Sequence, residues 1–119
     1  MSTNSDIIIQ RPGAQEFAAV YCHWDGYPSH NGRILRENYT THDKVVELIS
    51  LGWLSELHST PDACVSYHRW RGEPKRIRVS NDVRSLCQES YSYLFRDGAW
   101  WYLHASVFRP LTEEVCEKD

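Results

Sequence analysis

The run 20–32, "VYCHWDGYPSHNG", brings a thiol, two imidazoles, a carboxylate and three aromatic rings into thirteen residues. On a strand, residues two apart point to the same side, so His23 and Asp25 would share a face. The Asp25 carboxylate then accepts from the imidazole and fixes its tautomer, which is half of an acid–base pair. Cys22 projects to the opposite face and is poorly placed to act with His23 as a dyad. A nucleophile would have to come from Ser29 or Tyr27, and the segment matches no nucleophile elbow. Metal binding would draw on Cys22, His23, Asp25 and His30, with Cys64 and His68 as a second pair. No CxxC, HExxH or EF-hand spacing accompanies them, and no cofactor motif is present. The plainer reading makes His23 and Asp25 partners of the loop's own backbone, with Gly26 supplying a positive φ and Pro28 stiffening the exit into a helix.

A second chemical feature is the basic stretch 67–78, "YHRWRGEPKRIR". It sets Arg69, Arg71, Lys75, Arg76 and Arg78 against Glu73, with Tyr67 and Trp70 interleaved. Arginine beside aromatic rings can grip phosphate and stack a base. It is equally the chemistry of a protein–protein hot spot. On the edge of a hairpin, the same charges would only discourage sheet-to-sheet association.

The elements that carry these residues follow from periodicity. Residues 1–13 read as a loose arm whose run Ile7-Ile8-Ile9 caps an edge or frays. Segment 16–24 is apolar on both alternating faces, as a central strand would be. Helices are expected over 32–39 and after Thr40-Thr41-His42-Asp43, where Thr40 and Asp43 form a capping box and Gly52 ends the helix. Strands over 63–70 and 75–79 would pair as a hairpin across Arg71-Gly72-Glu73-Pro74, followed by a helix with Val83, Leu86 and Cys87 inward. In "YSYLFRDGAWWYLHASVF", Asp97-Gly98 predicts a tight turn that sets Phe95 opposite Trp100, Tyr93 opposite Tyr102 and Tyr91 opposite His104. Leu94 would oppose Trp101 on the reverse face. The resulting aromatic face is expected as core, with a binding platform or a homodimer contact as the alternatives. The tail 111–119 is acidic and reads as a frayed helical turn. The expected fold is α+β, a single compact domain of about five mostly antiparallel strands with about three helices packed on one face.

Size and charge bound the function. A chain of 119 residues has the length of one domain, and five Trp and seven Tyr against one Met make its core unusually rich in rings. A net charge of −3 argues against a generic nucleic-acid binder. Four widely spaced cysteines, no secretory h-region and no apolar run of spanning length point to reduced thiols, no membrane and a cytoplasmic setting.

The stretch Tyr21-Cys22-His23-Trp24-Asp25-Gly26-Tyr27-Pro28, then Gly32 and Leu35, "VVELISLGWLSEL", "VSYHRWRGE" and "YSYLFRDGAWWY" resemble a family of small proteins from bacteriophages, prophages and mobile elements that carry a YCHWDGYP-type motif. The likeness runs from Val20 to Tyr102. Trp53 stands where relatives carry an acidic residue, and Trp70 where they often have aspartate between two arginines. The resemblance implies an accessory or host-interaction role in the cytoplasm and supplies neither a reaction nor a cofactor. The leading expectation is therefore a non-enzymatic protein that binds a host or phage protein, for example to inhibit a host defence system. Its contact set is Trp24, Tyr27, Tyr67, Trp70 and the arginines Arg69, Arg71, Arg76 and Arg78. The alternatives are a nucleic-acid module using the basic hairpin, and a small hydrolase or ligand-binding protein centred on His23, Asp25 and His30.

Overall fold

A computed structural model describes residues 2–13 and 15–118. Its elements in chain order are β1 (Ser5–Gln10), β2 (Phe17–Cys22), a π-type turn (Pro28–Gly32) continuing into α1 (Arg33–Asn38), and α2 (His42–Ile49). Then follow β3 (Leu54–Glu56), β4 (Val65–Ser66), α3 (Tyr67–Arg71), β5 (Arg78–Ser80), a 3-10 turn (Val83–Leu86), the hairpin β6 (Tyr91–Arg96) and β7 (Ala99–His104), β8 (Val107–Pro110) and α4 (Glu113–Lys118). The strands form one eight-stranded sheet in the order β4-β3-β2-β1-β6-β7-β8, with β5 also paired to β2. The expectation of about five strands and three helices is thus corrected to eight strands and four helices among the described residues. The sheet is mixed, because β1–β6 and β2–β3 run parallel while the other pairs are antiparallel.

The largest correction concerns the N-terminal arm. Residues Ser5–Gln10 are no edge cap but an interior strand between β2 and β6, with Ile7 and Ile8 wholly buried on opposite faces. A strand covered on both sides needs apolar residues in succession rather than in alternation, and the isoleucine run supplies them. Its parallel partner β6 lies far along the chain, so no local signal announces the pairing.

One face of the sheet carries Ile7, Ile9, Val20, Cys22, Tyr93, Phe95 and Trp100 beneath α1, α2 and α4. The other carries a smaller cluster of Ile8, Ala19, Leu86 and Leu94, roofed in part by the 3-10 turn. This second layer accounts for the helix expected around Val83: Asp82 caps it by accepting from the Arg84 amide, but the segment closes after one turn. The cap of α2 falls at Thr41 rather than Thr40, its hydroxyl accepting from the Lys44 amide at 3.3 Å.

The hairpin register matches the expectation at Tyr93–Tyr102, Leu94–Trp101, Phe95–Trp100 and Arg96–Ala99. Asp97 and Gly98 both have positive φ, as a primed two-residue turn requires. Tyr93, Phe95 and Trp100 are buried, so the turn-proximal part of the aromatic face is core as expected, while Tyr91 and Tyr102 are half-buried and His104 is exposed.

The hairpin expected across 71–74 does not form. Ser66 accepts from the Arg69 amide and starts α3, and Gly72 ends it in the left-handed region at φ 71°. β5 pairs instead with β2, Val79 opposite Ala18.

Candidate functional site

The quoted segment 20–32 is first of all a structural corner. Cys22, Gly26, Asn31 and Gly32 are buried there. Asn31 Nδ2 donates to Ser5 Oγ at 3.2 Å, Cys22 Sγ at 3.4 Å and the Trp24 carbonyl at 3.1 Å. Tyr93 donates its hydroxyl to the Gly26 carbonyl at 2.6 Å. The positive φ falls on Asp25, at 58°, and not on Gly26. Gly26 is required for a different reason: a Cβ there would lie 2.8 Å from the Asn4 carbonyl carbon and oxygen.

The expected His23–Asp25 pair is absent. His23 Nδ1 meets the Tyr21 hydroxyl at 2.6 Å. Burial, with Glu89 and Tyr67 nearby, pushes the Tyr21 phenol up to about 12, so the hydroxyl stays protonated. Asp25 accepts from the Tyr27 hydroxyl at 3.2 Å and faces His30 Nε2 at 3.9 Å. Because the amide nitrogen of Asn31 is occupied, its oxygen accepts from His30 Nδ1 at 3.0 Å. The Nδ1 hydrogen of His30 is thus held by Asn31, and Asp25 lies beyond hydrogen-bond distance of Nε2, so the carboxylate does not orient the ring as it would a base. Among the described residues no group of three His, Cys, Asp or Glu side chains is arranged to hold a metal ion. The cysteines are free, and burial pushes the Cys22 thiol up to about 12, which makes it inert.

The basic stretch divides. Arg69 is structural, its guanidinium donating to the carbonyls of Pro61 at 2.9 Å and Cys64 at 2.6 Å. Arg78 reaches across the sheet to the buried Asp6 at 2.9 Å. Asp6 also accepts from the Gln88 and Glu89 amides and the Ser92 hydroxyl, a fully used carboxylate that ties β5 and the loop before β6 to β1. Arg71 and Arg76 remain outside such anchors. Arg71 lies 4.4 Å over Trp70 and 5.4 Å over Tyr67, and Arg76 lies 5.1 Å over Trp53. Both approach Glu73, at 3.5 and 3.8 Å.

These contacts join the two sequence features into one surface. From the end of β2, Trp24 meets His23 at 4.6 Å between ring centres, His23 meets Tyr21 at 5.9 Å, and Tyr21 meets Trp53 at 5.1 Å. Trp53 carries Arg76, which shares Glu73 with Arg71, which covers Trp70 and Tyr67. Trp24 and Trp70 are 43% and 57% exposed at its two ends. Of the expected contact residues, His23, Trp24, Tyr67, Trp70, Arg71 and Arg76 belong to it. Asp25, Tyr27 and His30 form their own hydrogen-bonded corner after β2, while Arg69 and Arg78 serve the fold. Tyr21 and Trp53 were missed as contact residues. Tyr21 alternates with Cys22 along β2, and Trp53 precedes Leu54 of β3, so a pairing of β2 with β3 would have put both on one face.

No helix among the described residues is long and apolar enough to cross a membrane. Comparison with protein-family models, with curated proteins and with solved structures finds no match to this chain.

Proposed function

We propose that this protein acts by binding, as a small accessory protein of the phage, prophage or mobile-element kind, and that it grips an acidic face of a host or phage protein. The observation that carries the proposal is the continuous aromatic–arginine surface from Trp24 to Trp70. Exposed Trp, Tyr and Arg are the side chains that dominate interface energies: the rings cover a large area at small entropic cost, and the planar guanidinium offers several donors at once. Arg71 and Arg76 are pre-oriented by the rings beneath them, and their shared Glu73 sits at ion-pair rather than tight hydrogen-bond distance. A partner's carboxylates can displace so loose a contact and gain charge-assisted hydrogen bonds. A polyphosphate backbone is the weaker candidate, because with Arg69 and Arg78 consumed internally only Arg71 and Arg76 are left on the surface to neutralise phosphates.

The experiment is affinity capture from bacterial lysate with wild type, Trp70→Ala and Arg71→Glu as baits, followed by titration of the purified partner. Wild type should retain a partner, and each substitution should weaken it by about tenfold or more. Failure to retain any protein that Trp70→Ala releases overturns the proposal. So does salt-dependent binding of a short single-stranded oligonucleotide that Arg71→Glu abolishes, which would assign the surface to nucleic acid.

A further inference from the structure

We infer that Glu73 is a built-in competitor of the partner: in the free chain its carboxylate occupies the place between Arg71 and Arg76 that an acidic side chain of the partner takes on binding. The inference rests on the aromatic–arginine surface being the binding surface, and adds how that surface is occupied before the partner arrives.

Glu73 Oε2 lies 3.5 Å from Arg71 Nη1 and Oε1 lies 3.8 Å from Arg76 Nη1, so one carboxylate divides its two oxygens between two guanidinium groups. The backbone keeps it there. The Glu73 amide donates to the Tyr67 carbonyl at 3.4 Å, and the Glu73 carbonyl meets His68 Nδ1 at 2.8 Å. Gly72 turns the chain at the end of α3 with φ 71°, and Pro74 stiffens the next step, so residue 73 is folded back over α3.

The arginines do not depend on Glu73 for their placement, because Arg71 lies over Trp70 and Arg76 over Trp53. Their side chains are 54% and 51% exposed against 32% for Glu73, so a carboxylate arriving from solvent reaches both once Glu73 rotates away. It meets two oriented guanidinium groups with indole rings beneath, which selects an Asp or Glu side chain flanked by apolar neighbours. A competitor fixed on the same chain acts at high effective concentration. Exposed ion pairs of this looseness are weak, so the competition lowers affinity by about three- to tenfold rather than closing the surface.

The test is fluorescence anisotropy of fluorescein-labelled poly-L-glutamate at low ionic strength, with wild type, Glu73→Gln, Glu89→Gln and Trp70→Ala. Glu73→Gln keeps the shape and the backbone anchors of residue 73 and should bind about three- to tenfold tighter than wild type. Glu89→Gln removes an equal charge near Tyr21 without freeing either arginine, and should gain less than about twofold. Binding by Glu73→Gln that equals or falls below wild type overturns the inference, and so does an equal gain in Glu89→Gln, which would reduce the effect to net charge. In either case a loss in Trp70→Ala leaves the surface itself standing as the binding site. Absence of saturable binding by every variant also overturns the inference, whatever the lysate capture returns.

Discussion

Two glycines show how differently one residue type can be demanded. Gly26→Ala would press a methyl group to 2.8 Å from the Asn4 carbonyl, backbone that cannot rotate away, and should cost about 2–3 kcal/mol by overpacking. Gly98→Ala meets no atom within 4 Å and should cost only about 1 kcal/mol, through its φ of 77°. Urea denaturation of the two variants compares these values directly, and equal losses would contradict the assignment. The buried Cys22 thiol leads to a pH prediction. Its folded value is raised from the ordinary 9.0 to about 12, and that of Tyr21 from 10.0 to about 12. The unfolded chain therefore ionises first, so their contribution to stability is complete below pH 9 and lost as pH rises from 9 towards 12. Denaturation midpoints should fall over that window, less steeply between pH 9 and 10 in Cys22→Ala. A flat profile to pH 11 would refute the burial of both groups. Cys22 and Gly26 were recognisable in the sequence as members of one motif. Their roles were not, because a close approach to Asn4 is a property of two strands, β1 and β2, brought together.

Among elements, those with self-sufficient local chemistry were legible. The Asp97-Gly98 hairpin carries its turn, its register and its buried rings within fourteen residues, and the helix before Gly52 carries its period and its stop. α3 was misread as strand because Ser66 capping and Gly72 termination were outweighed by aromatic and β-branched residues nearby. β5 was assigned the wrong partner, since its pairing with β2 is sealed by Asp6 and Arg78, 72 residues apart in the chain. That seal is testable. Asp6→Ala removes the acceptor for Arg78, two backbone amides and Ser92, leaving a half-buried guanidinium without its counter-charge. The expected loss is about 3–5 kcal/mol. Amide hydrogen exchange should show β5 and residues 87–89 opening first, and uniform opening of the whole sheet would contradict the anchor.

For the whole molecule, two surfaces lie on different parts of the sheet. The aromatic–arginine surface runs from the end of β2 to α3, while an aliphatic groove lined by Ile49, Ile77 and Val79 lies between α2 and β5. They adjoin where Arg76 of the first is followed by Ile77 of the second. Trp70→Ala should weaken partner capture by about tenfold or more and leave the urea midpoint unchanged, since the ring is 57% exposed, and a lowered midpoint would assign Trp70 to the fold instead. By itself the sequence determined the α+β character, the central position of β2, the aromatic hairpin with its register, the main helix and the chemical promise of 20–32 and 67–78. These rest on short-range periodicity, capping and turn geometry, which act between near neighbours. Tertiary structure alone decided that β1 is interior and that β5 joins β2. It also decided that His23 pairs with Tyr21, that Arg69 and Arg78 are anchors, and that Trp24 and Trp70 end one surface. Each of those outcomes depends on strand pairing between residues distant in the chain, where apolar content permits many partners and only the assembled sheet, with both faces covered, selects one.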